Sequence, residues 1–220
     1  LYKCVRGVGK ENGKPRKAAK ALTTDKLRIV VGNAKGPRHA LWETDMLVSM
    51  TTLAVYGLLR AGEFTHSHVK EQGLDRNGDA RPPVHDPAQH VCWRHVNFFR
   101  DGSGKLEFMT INIPSSKCDA FRQGSLRTLY ATDTLDCPVE AMWGYRQSRL
   151  RGREAHGQHA HADDPLYVPP NGHYVTKTWF QTNMQAALYR GGVTDAYTTH
   201  SCRAGGATSM LLAGVPGELV

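Results

Sequence analysis

YTTHSCRAGGATSMLLAGV, Tyr197 to Val215, poses a local contradiction. Thr198 and Thr199 are suited to cap a helix, because a side-chain oxygen there can take free amide protons. His200 and Arg203 follow three residues apart, so on a helix capped by either threonine they share one face and both lie in its first turn. The helix dipole already presents positive charge at that end, and two cationic or nearly cationic side chains oppose it. A bound anion reverses the balance: phosphate oxygens can take free N–H groups, an imidazole and a forked guanidinium together. Gly205 and Gly206 weaken helix propensity but allow another backbone to approach closely. A lone His-x-x-Arg is common by chance, so the reading needs support from elsewhere in the chain.

Two other segments supply it. In GLLRAGEFTH, Arg60 ends an otherwise apolar helix and Glu63 follows three residues later. An exposed pair of this kind contributes under about 1 kcal/mol; at the edge of a core, the carboxylate fixes the plane of a guanidinium aimed at a ligand. In INIPSSKCDAFRQG, Lys117 stands at the tip between two strand-like segments, within reach of a ligand lying across a sheet edge.

The rest of the pattern gives the architecture. LTTDKLRIVV predicts a short helix capped by Thr23, Thr24 or Asp25. ETDMLVSMTTLAVYGLLR carries Met46, Leu47, Met50, Leu53, Ala54 and Leu58 at three- and four-residue spacing, one apolar face of a helix ending near Arg60. HVCWRHVNFF and KLEFMTINIP read as strands joined at RDGSG, with SLRTLYAT as a third. CPVEAMWGYRQSRLRG, VTKTWFQTNMQAALYRGG and the opening stretch are helical. Residues 67–88 and GREAHGQHAHADDP read as loops. No sustained β-α alternation and no internal repeat is present. The expected fold is α+β, mainly helical, with a small antiparallel sheet, over residues 21–220, preceded by a basic linker at 1–20.

Charge is unevenly placed. Residues 1–39 hold eleven Lys/Arg, including Arg6, Arg16, Lys17 and Lys20, against only Glu11 and Asp25. The remainder is close to neutral, with 17 basic and 18 acidic side chains. A basic arm on a neutral body suits a phosphate polymer, through counterion release and steering. Five cysteines without a CxxC pair argue against a disulfide framework or structural zinc and for a reducing compartment. The longest apolar stretch, Met46 to Leu59, is too short to span a bilayer.

Taken in order, the three boxes resemble the catalytic domain of the tyrosine recombinase (phage integrase) family, from about residue 16 onward. GLLRAGEFTH is similar to that family's first arginine box, IPSSKCDAFRQG to its β-hairpin lysine segment, and THSCRAGGATSMLLAGV to its His-x-x-Arg box. The Gly-Gly-Ala-Thr run resembles integrase-like proteins of eukaryotic mobile elements and some bacterial relatives. The resemblance implies breaking and rejoining of double-stranded DNA through a 3′-phosphotyrosyl link, with neither metal nor cofactor. It implies Arg60 and Arg203 on the non-bridging phosphate oxygens and His200 hydrogen-bonded to the phosphate. Lys117 would protonate the departing 5′ oxygen, and Glu63 would support the site. Arg6, Arg16, Lys17 and Lys20 would follow the DNA backbone. Self-association in a synaptic complex is implied for the full-length protein, in the nucleus of a eukaryote or otherwise in the cytoplasm, with no membrane partner.

The family's nucleophilic tyrosine lies beyond the His-x-x-Arg box, and no tyrosine follows Arg203 here. The expectation is therefore a chain incomplete at its C-terminus and lacking an N-terminal clamping domain, inactive by itself. The alternative is a non-catalytic, recombinase-derived DNA-binding module. Tyr189 and Tyr197 precede the box and are expected in packing. His156, His159 and His161 beside Asp163 and Asp164 are expected to be solvated, not metal ligands. Cys202 is expected to be buried, and Trp93, Phe98, Trp143 and Trp179 to belong to the core.

Overall fold

The computed structural model describes residues 20–37, 39–66, 85–115, 123–155, 161–168 and 174–219. Most of the basic linker, including Arg6, Arg16 and Lys17, lies outside the described residues, as do Lys117, His156 and His159.

The chain centres on one helix. Helix α1 (Thr24–Gly32) starts at the N-cap Thr23, and α2 (Leu41–Tyr56) follows. Sequence periodicity gave α2 a single apolar face ending near Arg60; the structure corrects both points. From Met46 to Val55 it is buried almost all round, Ser49, Thr51 and Thr52 included. It packs against α4, α6, α1 and α5 together. Its polar residues survive burial because each is satisfied. Thr51 and Thr52 donate to carbonyls one turn back, at 2.7 and 3.0 Å, and the Ser49 hydroxyl lies 2.9 Å from the Tyr167 hydroxyl. The helix stops at Gly57, and Leu58 takes a left-handed φ of 51°, which turns the chain before Arg60. A further four-residue helix, α3 (Ala61–Phe64), begins directly after Arg60 and was not foreseen.

The sheet follows expectation: β1 (Val96–Arg100), β2 (Leu106–Ile113) and β3 (Ser125–Tyr130) are antiparallel in the order β1-β2-β3. The β1–β2 turn is built by Asp101, whose carboxylate accepts from the Ser103 and Lys105 amides, with Gly104 at φ 85°. Met109, Ile111 and Ile113 point into the core, and Phe108 stacks on Phe99 across the strands on the other face.

Helices α4 (Pro138–Ala155), α5 (Lys177–Arg190) and α6 (Thr199–Leu212) complete the order. The architecture is thus α+β, mainly helical, with a small antiparallel sheet. Among the described residues no helix is long and apolar enough to cross a membrane.

The two glycines of α6 show why the opening stretch tolerates them. A Cβ on Gly205 would lie 1.8 Å from the Leu22 carbonyl oxygen, and one on Gly206 would lie 2.1 Å from that of Val55. Only hydrogen fits at either position. The close approach is fastened by the Leu22 N–H, which donates to the Ser201 carbonyl at 2.9 Å. Gly206 therefore seats α6 on the last turn of α2, next to the turn that leads to Arg60.

Candidate active site

Arg60 is the N-cap of α3 and is held from both ends. Its backbone N–H donates to Glu63 Oε2 at 2.9 Å, and its Nη1 lies 3.3 Å from Glu63 Oε1. Such a reach-back from the third helical residue is half of a capping box. The Glu63 side chain is 9% exposed and that of Arg60 37%. A nearly buried carboxylate thus anchors a guanidinium that still reaches solvent, the arrangement foreseen for this pair.

On α6, Thr198 is the N-cap, but the bond that closes this end comes from Ser201, whose hydroxyl accepts from the Thr198 N–H at 3.0 Å. His200 is exposed in the first turn. Arg203, the fifth helical residue, is half-buried and opens the second turn instead of sharing the first. The third expected cation, Lys117, lies outside the described residues; the described end of β2 leads to Ser115, two residues before it.

These elements enclose one open hollow of about 440 Å³. Arg60, Glu63, Ser115 and His200 line it, together with Gln89, His90 and Lys177. Arg60, Glu63 and His200 are therefore brought together from segments 140 residues apart. Arg203 is not among the lining side chains, although its three-residue spacing from His200 turns it to the same side of α6. Lys177 is a cation that the sequence reading missed. It is the first residue of α5, whose N-cap Thr176 accepts from the Trp179 N–H at 3.1 Å. The threonine cap was legible in VTKTWF; its direction toward the hollow was not.

The remaining candidates separate cleanly. Lys20 is exposed and paired with Asp195 at 2.6 Å. Cys202 is fully buried against Met184, and burial pushes its thiol up to about 12, which suits packing and not nucleophilic attack. Tyr197 is buried as expected, whereas Tyr189 is 54% exposed, a correction to its expected place in packing. No tyrosine lines the hollow among the described residues. Trp93, Phe98, Trp143 and Trp179 pack against the core. His161 is exposed.

Beside the hollow stands a second group, formed by His66, His85 and His90. His66 lies two residues past the end of α3 and is pinned to the segment just before α5, its N–H donating to the Val175 carbonyl at 3.0 Å. The Tyr174 ring stacks on it at 4.3 Å between centroids. Burial, then the neighbouring His90 and His85, holds the His66 imidazole neutral, with its pKa down at about 3.

No protein-family model and no curated protein matches the sequence. The fold, however, matches solved structures. One is the XerH site-specific recombinase bound to difH substrate in a pre-cleavage complex, with TM-score 0.53 and 13% identity over 88% of this chain. Another is the same recombinase on palindromic difH in a post-cleavage complex, with TM-score 0.55 and 13% identity over 90% of this chain. In both, the aligned region is 43% of the neighbour, so this chain spans less than half the length of either. The chain shares its fold with the aligned part of this recombinase.

Proposed function

We propose that this recombinase-like domain binds double-stranded DNA and forms the phosphate-activating part of a strand-transfer enzyme. The observation that carries the reading is the shared hollow, where Arg60 and His200 face one space from distant parts of the chain. Phosphoryl transfer gathers negative charge on the non-bridging oxygens, and preorganised guanidinium groups stabilise it strongly. Arg60, its plane set by Glu63, takes one oxygen. His200 hydrogen-bonds the phosphate and assists proton movement. Arg203 completes the oxygen contacts from the next turn of α6, and Lys117 protonates the departing 5′ oxygen. Lys177, at the rim, holds a neighbouring phosphate. The nucleophile is a tyrosine outside the described lining of the hollow. Arg6, Arg16, Lys17 and Lys20 track the backbone, and self-association in a synaptic complex accompanies exchange between two sites. DNA integration by a mobile element is the cellular outcome that the Gly-Gly-Ala-Thr run favours.

A second reading, a DNA-binding module without strand transfer, draws on the absence of a tyrosine among the described lining residues. One experiment separates the two. The full-length protein is incubated with a nicked duplex, which traps any covalent protein–DNA adduct. The enzyme reading expects an adduct that Arg60→Ala and Arg203→Ala each reduce by at least about a hundredfold. Duplex binding with no adduct establishes the module instead.

A further inference from the structure

His66, His85 and His90 are drawn together from 25 positions of sequence. One ring nitrogen of each lies within 4.8 Å of the others. His66 Nε2 and His85 Nδ1 face each other at 3.3 Å. That is the separation expected for two imidazole nitrogens on one tetrahedral zinc, about 3.3 Å for bonds of about 2.0 Å.

The outer contacts prepare the lone pairs. His85 Nε2 lies 2.8 Å from the Asp163 carbonyl oxygen, so it carries the proton and leaves Nδ1 bare. His90 Nδ1 lies 3.1 Å from the Asp86 carbonyl and 3.0 Å from the Asp86 N–H. Nδ1 accepts from that N–H, which leaves the ring proton on Nε2; a metal would bind Nε2 once Nδ1 switches to donating to the carbonyl. A backbone carbonyl that fixes the ring tautomer, as at His85, is a usual outer-shell partner of metal-bound histidine. His66, 5% exposed, presents Nε2 to the set, while its buried Nδ1 has no hydrogen-bond partner among the described residues.

We propose that His66, His85 and His90 bind one transition-metal ion of the zinc class, with a fourth position left to water. Imidazole donors suit Zn²⁺ and its neighbours and do not suit Mg²⁺ or Ca²⁺. The ion contracts the set by rotations of His85 and His90, both only half-buried. It clips the segment around residues 85–90 to the junction between α3 and α5. Because Gln89 and His90 line the hollow, the metal stands at its wall and fixes that wall's shape. Its role is positional, outside the phosphate chemistry, and the site stands whether or not the domain cuts DNA. It departs from the expectation of a metal-free protein. LRAGEFTH and VHDPAQH each end on a histidine of the set, but their meeting depends on the tertiary fold.

The test uses the untagged 220-residue chain, stripped with chelator and titrated with Zn²⁺ and separately with Co²⁺. The expected result is one equivalent of Zn²⁺ and visible Co²⁺ absorption of tetrahedral or five-coordinate type. His85→Ala combined with His90→Ala should weaken Zn²⁺ binding by at least about a hundredfold, whereas His161→Ala leaves it intact. Zn²⁺ should raise the wild-type Tm and leave that of the double variant unmoved. Should the double variant fail to fold without metal, the wild-type titration and the single variant His90→Gln decide. Zn²⁺ binding that survives loss of His85 and His90, or no stoichiometric uptake by the wild type, overturns the site.

Discussion

Glu63 is the residue on which the site's geometry turns. It satisfies the Arg60 N–H and steers the guanidinium with the same carboxylate. Glu63→Ala should cost about 1–2 kcal/mol in urea unfolding, because an N-terminal donor of α3 loses its partner. The same change should weaken duplex binding, because Arg60 loses its orientation. Asp136 offers a pH-dependent counterpart. Burial raises its pKa, but bonds from the Tyr56 and Thr134 hydroxyls and the nearby Arg28 outweigh that and leave it below the ordinary value of 3.8. Tyr56 Oη lies 2.6 Å from its carboxylate. A depressed carboxyl contributes stability above its unfolded pKa and loses that contribution as pH falls through the folded one. Asp136→Asn should therefore be less stable than wild type at pH 7, with the gap closing below about pH 4. Thermal melts across that range check it; a gap that widens on acidification contradicts the assignment.

Among elements, the contact between α6 and α2 matters most, because it sets His200 beside Arg60. Gly206→Ala places a methyl carbon 2.1 Å from the Val55 carbonyl oxygen on α2, well inside van der Waals contact. The expected loss is about 3 kcal/mol or more, with DNA binding falling as α6 shifts. Gly144→Ala, on α4 with open space around its Cβ, should instead gain about 0.5–1 kcal/mol. Denaturant midpoints of the two variants should move in opposite directions. This contact was legible in part: the Gly-Gly pair announced a close approach, and the approach exists. Which backbone it meets was not legible, since Leu22 and Val55 are remote in sequence. The mis-set end of α2 has a similar cause. Leu58 continues the three- and four-residue spacing, so periodicity carried the helix past Gly57, where the left-handed turn in fact breaks it.

For the whole molecule, charge asymmetry governs how the domain meets DNA. The net charge is +8, and the excess sits before residue 40. Duplex affinity should fall steeply and linearly in log–log form as salt rises, with the slope counting the phosphates neutralised. Removing residues 1–19 should flatten that slope while leaving any Arg60 dependence in place. A salt-independent affinity, measured by fluorescence anisotropy, contradicts a DNA role. At this scale the sequence disclosed the helical class, the three-stranded sheet and the pairing of Arg60 with Glu63. Lys177 and the histidine trio escaped it, because each becomes meaningful only when the start of α5 is set beside α3.

The claim that Arg60 and the start of α6 serve one phosphate is tested most directly by a double-mutant cycle. Duplex affinity is measured at fixed salt for wild type, Arg60→Ala, His200→Ala and the pair. Side chains that share one phosphate should show a coupling of about 1 kcal/mol or more. Single losses that add to the double loss within about 0.3 kcal/mol would mean that the two residues act at separate places, and the shared site would be wrong.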